Sequence, residues 1–245
     1  MAEVIFLASL TALATGLGIF PVYWLGARAE GVRPVLWGVV SGVMGVASVQ
    51  GLLLPGFAES SDLTVVAGVL AGVAFLLMTR RFLGHHEPSL GSLTGAGARR
   101  GPLVFLVLLV HSLPEGLALG AAFASDTVGL SAFVFLAIAI QNIPEGTATA
   151  IPLREASVSR PRAFWLATLT SAPQPVGAAL AYALVDATRS LLGLSFGFAA
   201  GAMLALIAIE AIPAAARSGG LRRALAAAAA SAVATAALGA LLHVG

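Results

Sequence analysis

Two stretches decide how the rest of the chain is read: Leu109-Val110-His111-Ser112-Leu113-Pro114-Glu115-Gly116, and Ala139-Ile140-Gln141-Asn142-Ile143-Pro144-Glu145-Gly146. One hexapeptide pattern, polar-polar-apolar-Pro-Glu-Gly, is written twice, 30 residues apart. Each copy sits inside an apolar run of the length that crosses a bilayer as a helix, about 20 residues. A carboxylate at such a depth is costly and is by default a functional group.

Composition agrees with a membrane setting. The chain has 245 residues, of which 59% are hydrophobic and 10% charged, against about 25% charged in soluble domains. That leaves too little polar surface for a soluble globule. The absence of cysteine excludes disulfide frameworks, thiolate metal sites and cysteine nucleophiles. Splitting the chain at polar and Pro/Gly clusters predicts eight spans, roughly 3–26, 33–57, 63–83, 102–124, 127–151, 163–185, 193–214 and 221–243. The fold class is therefore an all-α polytopic membrane protein, a single transmembrane domain over 1–245 with a longer loop at about 84–101. The first run has no basic leader segment and is expected to be a retained helix. G-x-x-x-G spacings at Gly38/Gly42, Gly68/Gly72, Gly116/Gly120 and Gly197/Gly201 are expected to serve close helix packing.

The charges orient the chain. All 13 basic residues are arginines, and 12 fall in the segments after the first, third, fifth and seventh spans; only Arg189 falls on the other side, with Glu59, Asp62, Asp126 and Asp186. By the positive-inside rule those segments are cytoplasmic and both termini lie outside.

Helical spacing puts His111 over Glu115 and Gln141 over Glu145. A short link around Ser125-Asp126-Thr127 makes the fourth and fifth spans antiparallel neighbours, with His111 and Gln141 expected at equal depth. The hexapeptide centres are then offset by about four residues, roughly 6 Å. One imidazole, two carboxylates and amide oxygens are expected to converge there. Facing carboxylates repel unless a proton or a cation lies between them. A divalent ion on His111, Glu115 and Glu145 meets that need, and imidazole with oxygen donors suits Zn, Fe or Mn rather than Cu(I). A proton relay through the His–Glu pair is the competing use. Pro114 and Pro144 free the carbonyls of Val110 and Ile140, which a membrane tolerates where the backbone lines protein or a cavity.

H-S-L-P-E-G followed by Q-N-I-P-E-G, on the fourth and fifth of eight spans with both ends outside, resembles the ZIP family of divalent-metal transporters. The Q-N-I-P-E-G form is most similar to its GufA-like prokaryotic branch, and the likeness runs over essentially the whole chain. The resemblance implies a transporter rather than an enzyme, in the cytoplasmic (plasma) membrane. It implies import of Zn2+, and often Cd2+, Fe2+ or Mn2+, towards the cytoplasm, by an elevator-like slide of one helix bundle against another. It also implies a lipid bilayer and a homodimer as partners, and no nucleic acid. The first metal site it implies is His111, Glu115, Gln141 and Glu145, with Met44 from the second span as a ligand or as plain packing. The adjacent second site falls on Ser112, Asn142 and the sixth span, sharing Glu115 and Glu145. There Gln174-Pro175-Val176-Gly177 stands where many members have Glu-Pro-x-Gly, and Asn142 where some have Asp. These neutral replacements predict one well-held ion and a weak or empty second position.

Glu210, near the end of the seventh span, is expected either to line the exit path or to reach the interface and pair with Arg217. His85-His86-Glu87 is a weak metal signal in a solvated loop, and His243 reads as interfacial. Competing functions are a proton-coupled metal exporter and an intramembrane metalloenzyme; the H-E-x-x-H motif that would support the latter is absent.

Overall fold

A computed structural model describes residues 1–84, 97–217 and 219–244, without the side chains of 27, 83, 84 and 97–108. His85, His86 and Glu87, and most of the expected 84–101 loop, lie outside the described residues. The described chain is helical throughout: α1 Ala2–Leu25, α2 Ala29–Glu59, α3 Asp62–Gly84, α4 Gly97–Ala124, α5 Leu130–Glu155, α6a Arg160–Thr170 with α6b Pro173–Ala187, α7 Arg189–Arg217 and α8 Leu221–Leu241. Six of these, α1, α2, α3, α5, α7 and α8, are long and apolar enough to cross a membrane among the described residues. That is two fewer than the sequence predicts. The described side chains of α4 give only a shorter apolar helix, Leu109–Ala124, and α6 is broken.

The break in α6 corrects the expected continuous helix over 163–185. Pro173 and Pro175 have no N–H for the carbonyls of Leu169 and Ser171. Those carbonyls are taken instead by tighter turns, Ala172 N–H to Leu169 O at 3.2 Å and Gln174 N–H to Ser171 O at 3.0 Å. Pro213 and Pro55 each stand two residues after a widened π-helical turn, Ile207–Ala211 in α7 and Val49–Leu53 in α2, and leave their helices unbroken. Helix α4 likewise runs through Pro114, and α5 through Pro144, without a break.

Helices pair closely as α1 with α5, α4 with α6b, α2 with α8 and α3 with α7. All four G-x-x-x-G pairs sit at such contacts, against the backbone of the partner helix. The two motif glycines also lie against partner backbone. A Cβ on Gly116 would strike the Gln174 carbonyl, and one on Gly146 the Thr15 carbonyl. Gly in the hexapeptide is therefore what lets α6b and α1 press against the two Pro-Glu turns.

Polar contacts sort the links onto two ends of the bundle. At one, Glu59 of α2 accepts hydrogen bonds from Ser125 Oγ, from Asp126 N–H at 3.1 Å and from Thr127 Oγ1 at 2.6 Å. Arg189 joins the same end, 2.6 Å from Ala124 O and 2.9 Å from Asp126. At the other, Arg154 donates to Gly26 O at 2.7 Å, Arg223 to Gly31 O at 3.3 Å, and Arg160 lies 4.8 Å over the Tyr23 ring. The odd-even alternation of arginines in the sequence thus appears as a physical separation of the links.

Because the obstacle at both motif glycines is backbone, it cannot rotate away. Gly116→Val and Gly146→Val should each destabilise the chain in detergent by about 1–3 kcal/mol or more. Gly31, with nothing within 4 Å of its added Cβ, is the control: Gly31→Ala should be neutral or stabilising by about 0.5–1 kcal/mol. Melting temperatures of the three purified variants check this.

Candidate metal centre

Helix α4 carries His111, Ser112 and Glu115 into the interior, α5 carries Gln141, Asn142 and Glu145, and the first turn of α6b carries Gln174; all seven are buried. The broken α6 matters here, because it delivers Gln174 at a helix start beside Glu115. The Gln141 amide donates to Glu115 Oε1 at 2.5 Å and the Gln174 amide to Glu115 Oε2 at 2.6 Å. Gln174 is itself fixed: its Oε1 accepts from Thr11 Oγ1 at 2.8 Å and from Asn142 Nδ2 at 3.2 Å. Asn142 Nδ2 also donates to Thr11 O at 2.7 Å. Every one of these amide donors is spent on a neighbouring oxygen.

The acceptors are not all matched. His111 Nδ1, Gln141 Oε1, Asn142 Oδ1 and Glu145 Oε2 are buried with no hydrogen-bond partner among the described residues. A buried polar atom left unpaired is destabilising, and all four lie on α4 and α5. Among the described residues no three His, Asp or Glu side chains stand close enough to hold an ion unaided. A complete shell would therefore include neutral donors. A small cavity of about 10 Å³, roughly the volume open to one water-sized sphere, is lined by His111, Glu115, Met44 and Met203 with apolar walls including Leu76 and Leu206.

Of the expected site residues, Met44, His111 and Glu115 line one cavity, and Gln141, Asn142 and Gln174 join Glu115 in one hydrogen-bond network. Gln141 reaches Glu115 with its amide, and α5 begins at Leu130 rather than 127. Ser112 is committed elsewhere, donating from Oγ to Thr170 O at 2.8 Å. Glu210 lies one turn beyond Leu206, partly exposed, and its ion pair is with Arg80 at 3.6 Å rather than with Arg217. Arg80 also donates to Ile209 O at 3.3 Å, the carbonyl that Pro213 leaves without a helical donor.

Sequence reasoning missed Thr11, Thr15 and Ser171. Thr15 and Ser171 hydroxyls bond at 2.6 Å across α1 and the α6 break. Thr11 and Thr15, four apart in an otherwise apolar first span, were the available signal, since such a pair forms one polar stripe. Met203 was also missed.

Fold and site together define a helical membrane protein with a carboxylate-, imidazole- and amide-bearing centre enclosed between its helices. The ZIP Zinc transporter family description matches residues 85–241. The zinc transporter GufA of Myxococcus xanthus is 35% identical over 222 residues, covering 86% of this chain and 87% of that protein. The zinc transporter ZupT of Corynebacterium glutamicum is 35% identical over 228 residues, 84% of this chain and 86% of that one. A larger Arabidopsis thaliana protein is 34% identical over 204 residues; the match covers 82% of this chain but only 33% of that relative. The chain belongs to the ZIP family, and within it to the GufA and ZupT kind.

The amide clamp on Glu115 has a measurable weight. Gln174→Leu removes the donor to Glu115 Oε2 and leaves Thr11 Oγ1 and Asn142 Nδ2 without their shared acceptor. Each orphaned group costs about 1–3 kcal/mol, so the variant's melting temperature in detergent should fall clearly. An unchanged value would mean that Gln174 does not hold Glu115 in the folded chain.

Proposed function

We propose that the chain carries divalent transition-metal ions, zinc first, across the plasma membrane towards the cytoplasm. The observation that supports this best is the set of unpaired buried acceptors at His111, Gln141, Asn142 and Glu145. Two glutamates supply the two negative charges that a divalent ion brings to balance in low dielectric. Zinc enters the proposal because the GufA and ZupT relatives are named as zinc transporters. For the same reason the chain is read as a transporter and not an enzyme.

In this reading all eight helices cross the bilayer as one domain. Helix α4 has 28 residues, ample for a span of about 20, and the two pieces of α6 cross together, their irregular join facing protein rather than lipid. The arginine-rich end faces the cytoplasm, so both termini lie outside.

His111, Glu115, Gln141 and Glu145 are the proposed ligands, with Met44 completing the shell. On binding, the ion takes the place of the Gln141 amide hydrogen at Glu115, and Gln141 turns its unpaired Oε1 inward. Asn142 keeps one unpaired oxygen, whereas Ser112 and Gln174 are held by hydrogen bonds, so one ion per chain is expected. Glu210, ion-paired to Arg80, is a waypoint on the cytoplasmic side. The close helix pairs suggest the moving parts: α1, α4, α5 and α6 as one body carrying the charged ligands, and α2, α3, α7 and α8 as the other. Sliding the first past the second moves the site between the two faces.

The test is flux into proteoliposomes of Zn2+, Cd2+, Mn2+ and Fe2+ in turn, beside the Glu115→Ala/Glu145→Ala double variant. Saturable flux that the variant loses is the expected result; flux that survives it rules out this site. Ion and proton compete for the same lone pairs, so affinity should fall from about pH 7.5 to about pH 5.5. Glu145→Ala should be at least as damaging as Gln141→Ala, since it removes a charge as well as a donor. Dependence on an imposed proton gradient would move the reading to a proton-coupled carrier, and two tightly held ions per chain would overturn the single-ion assignment.

A further inference from the structure

Methionine is rare in this chain, with four residues in all. Met1 and Met78 are exposed, at 47% and 71%. The two buried ones, Met44 of α2 and Met203 of α7, both line the small cavity that His111 and Glu115 also line. Its other walls are alkyl, from residues such as Leu76 and Leu206, and leucine would fill the same space with almost the same volume. What methionine adds is a polarisable thioether, and two methionines line the cavity that His111 and Glu115 also line.

We propose that Met203 is a specificity-determining residue of the transport site, supplying with Met44 a soft face that favours thiophilic divalent ions such as Cd2+ and Zn2+ over hard ones such as Mn2+ and Mg2+. This rests on the metal-carrier reading above. The charged and imidazole ligands sit on α4 and α5 and attract any divalent cation. A thioether is an uncharged, soft donor that contributes to a borderline or soft ion and little to a hard one. The two kinds of donor are also divided between helices: His111 and Glu115 come from α4, the thioethers from α2 and α7. In an elevator motion the soft contacts belong to the stationary body, so they select an ion where the two bodies meet and are left behind when it travels. Selection then costs nothing in release, because the thioethers do not accompany the ion to the far side.

The four methionines make this directly observable. The full chain, labelled with 13C at the methionine methyls and purified in nanodiscs, is titrated with Cd2+ and separately with Mg2+. The expected result is a saturable shift of the Met44 and Met203 methyl signals with Cd2+ alone, while Met1 and Met78 stay still; Met44→Leu, Met78→Leu and Met203→Leu give the assignment. In parallel, Met203→Leu should lower the ratio of Cd2+ to Mn2+ affinity several-fold while leaving Mn2+ affinity near that of the unaltered chain. A Met203 methyl that ignores Cd2+ while Met44 responds overturns the proposal and leaves the carrier reading intact. So does an unchanged affinity ratio in a folded Met203→Leu chain. Failure of the unaltered chain to bind either ion sinks the carrier reading, and this inference with it. The labelling experiment uses the native side chain, so it decides the matter even if the Leu variant does not fold.

Discussion

Glu115 must be kept as a carboxylate-bearing residue in the interior of an apolar bundle, and most of the local structure follows from how that is done. Its two oxygens are each met by a glutamine amide, Gln141 from α5 and Gln174 from α6b. Holding Gln174 then requires Thr11 from α1 and Asn142 from α5. Four helices are thereby tied to one side chain. Such a convergence needs backbones closer than ordinary side chains allow, which is the part played by Gly116 against α6b and Gly146 against α1. The hexapeptide is thus one device: polar residues to bind, proline to loosen the backbone bonding, glutamate for charge, and glycine to admit the neighbour.

The device occurs twice but its copies are not equivalent. Glu115 has both oxygens occupied by donors, while Glu145 keeps Oε2 bare. The cause is a matter of supply. The amides at 141 and 174 both point to α4, and the amide at 142 is spent on Thr11 and Gln174. An acidic residue at 174 would have reversed this, bringing a third carboxylate to Glu115 in place of a donor. The glutamine therefore does locally some of what a second cation would do, and it leaves Glu145 and His111 as the groups still in want of a positive charge.

The placement of the helices was largely legible because apolar length is a one-dimensional signal. Seven of the expected spans match observed helices to within a few residues at most ends, although α4 starts five residues before the expected 102. The interior break of α6 was legible in principle, since Pro173 and Pro175 follow a polar pair, yet proline alone is ambiguous: Pro114 and Pro144 leave their helices unbroken. At the α6 break the carbonyls of Leu169 and Ser171 close into tighter local turns, which spacing does not report. The burial of the motif's polar residues was legible from the repeat, whereas their hydrogen bonding was not. The pairing of the Gln141 amide with Glu115 depends on side-chain reach between helices, to which hydropathy is blind. Met203 escaped because a lone methionine in an apolar helix carries no periodic signal of its own.

Backbone irregularity and polar chemistry coincide throughout this molecule. The α6 break exposes Thr170 O, which Ser112 takes, and presents Gln174 to Glu115. The π-helical turn of α7 contains Glu210 and leaves Ile209 O for Arg80. That of α2 contains Gln50, whose amide donates to Val244 O at 2.6 Å and secures the end of α8. In lipid a freed carbonyl must find a donor within the protein, whether a backbone N–H, as for Leu169 and Ser171, or a polar side chain, as for Ile209. Polar centres in a bundle of this kind accordingly grow from backbone defects. A chain that must pass a charged ion through its interior can use the same defects twice, first to hold its ligands in place and then to let them exchange partners as helices move.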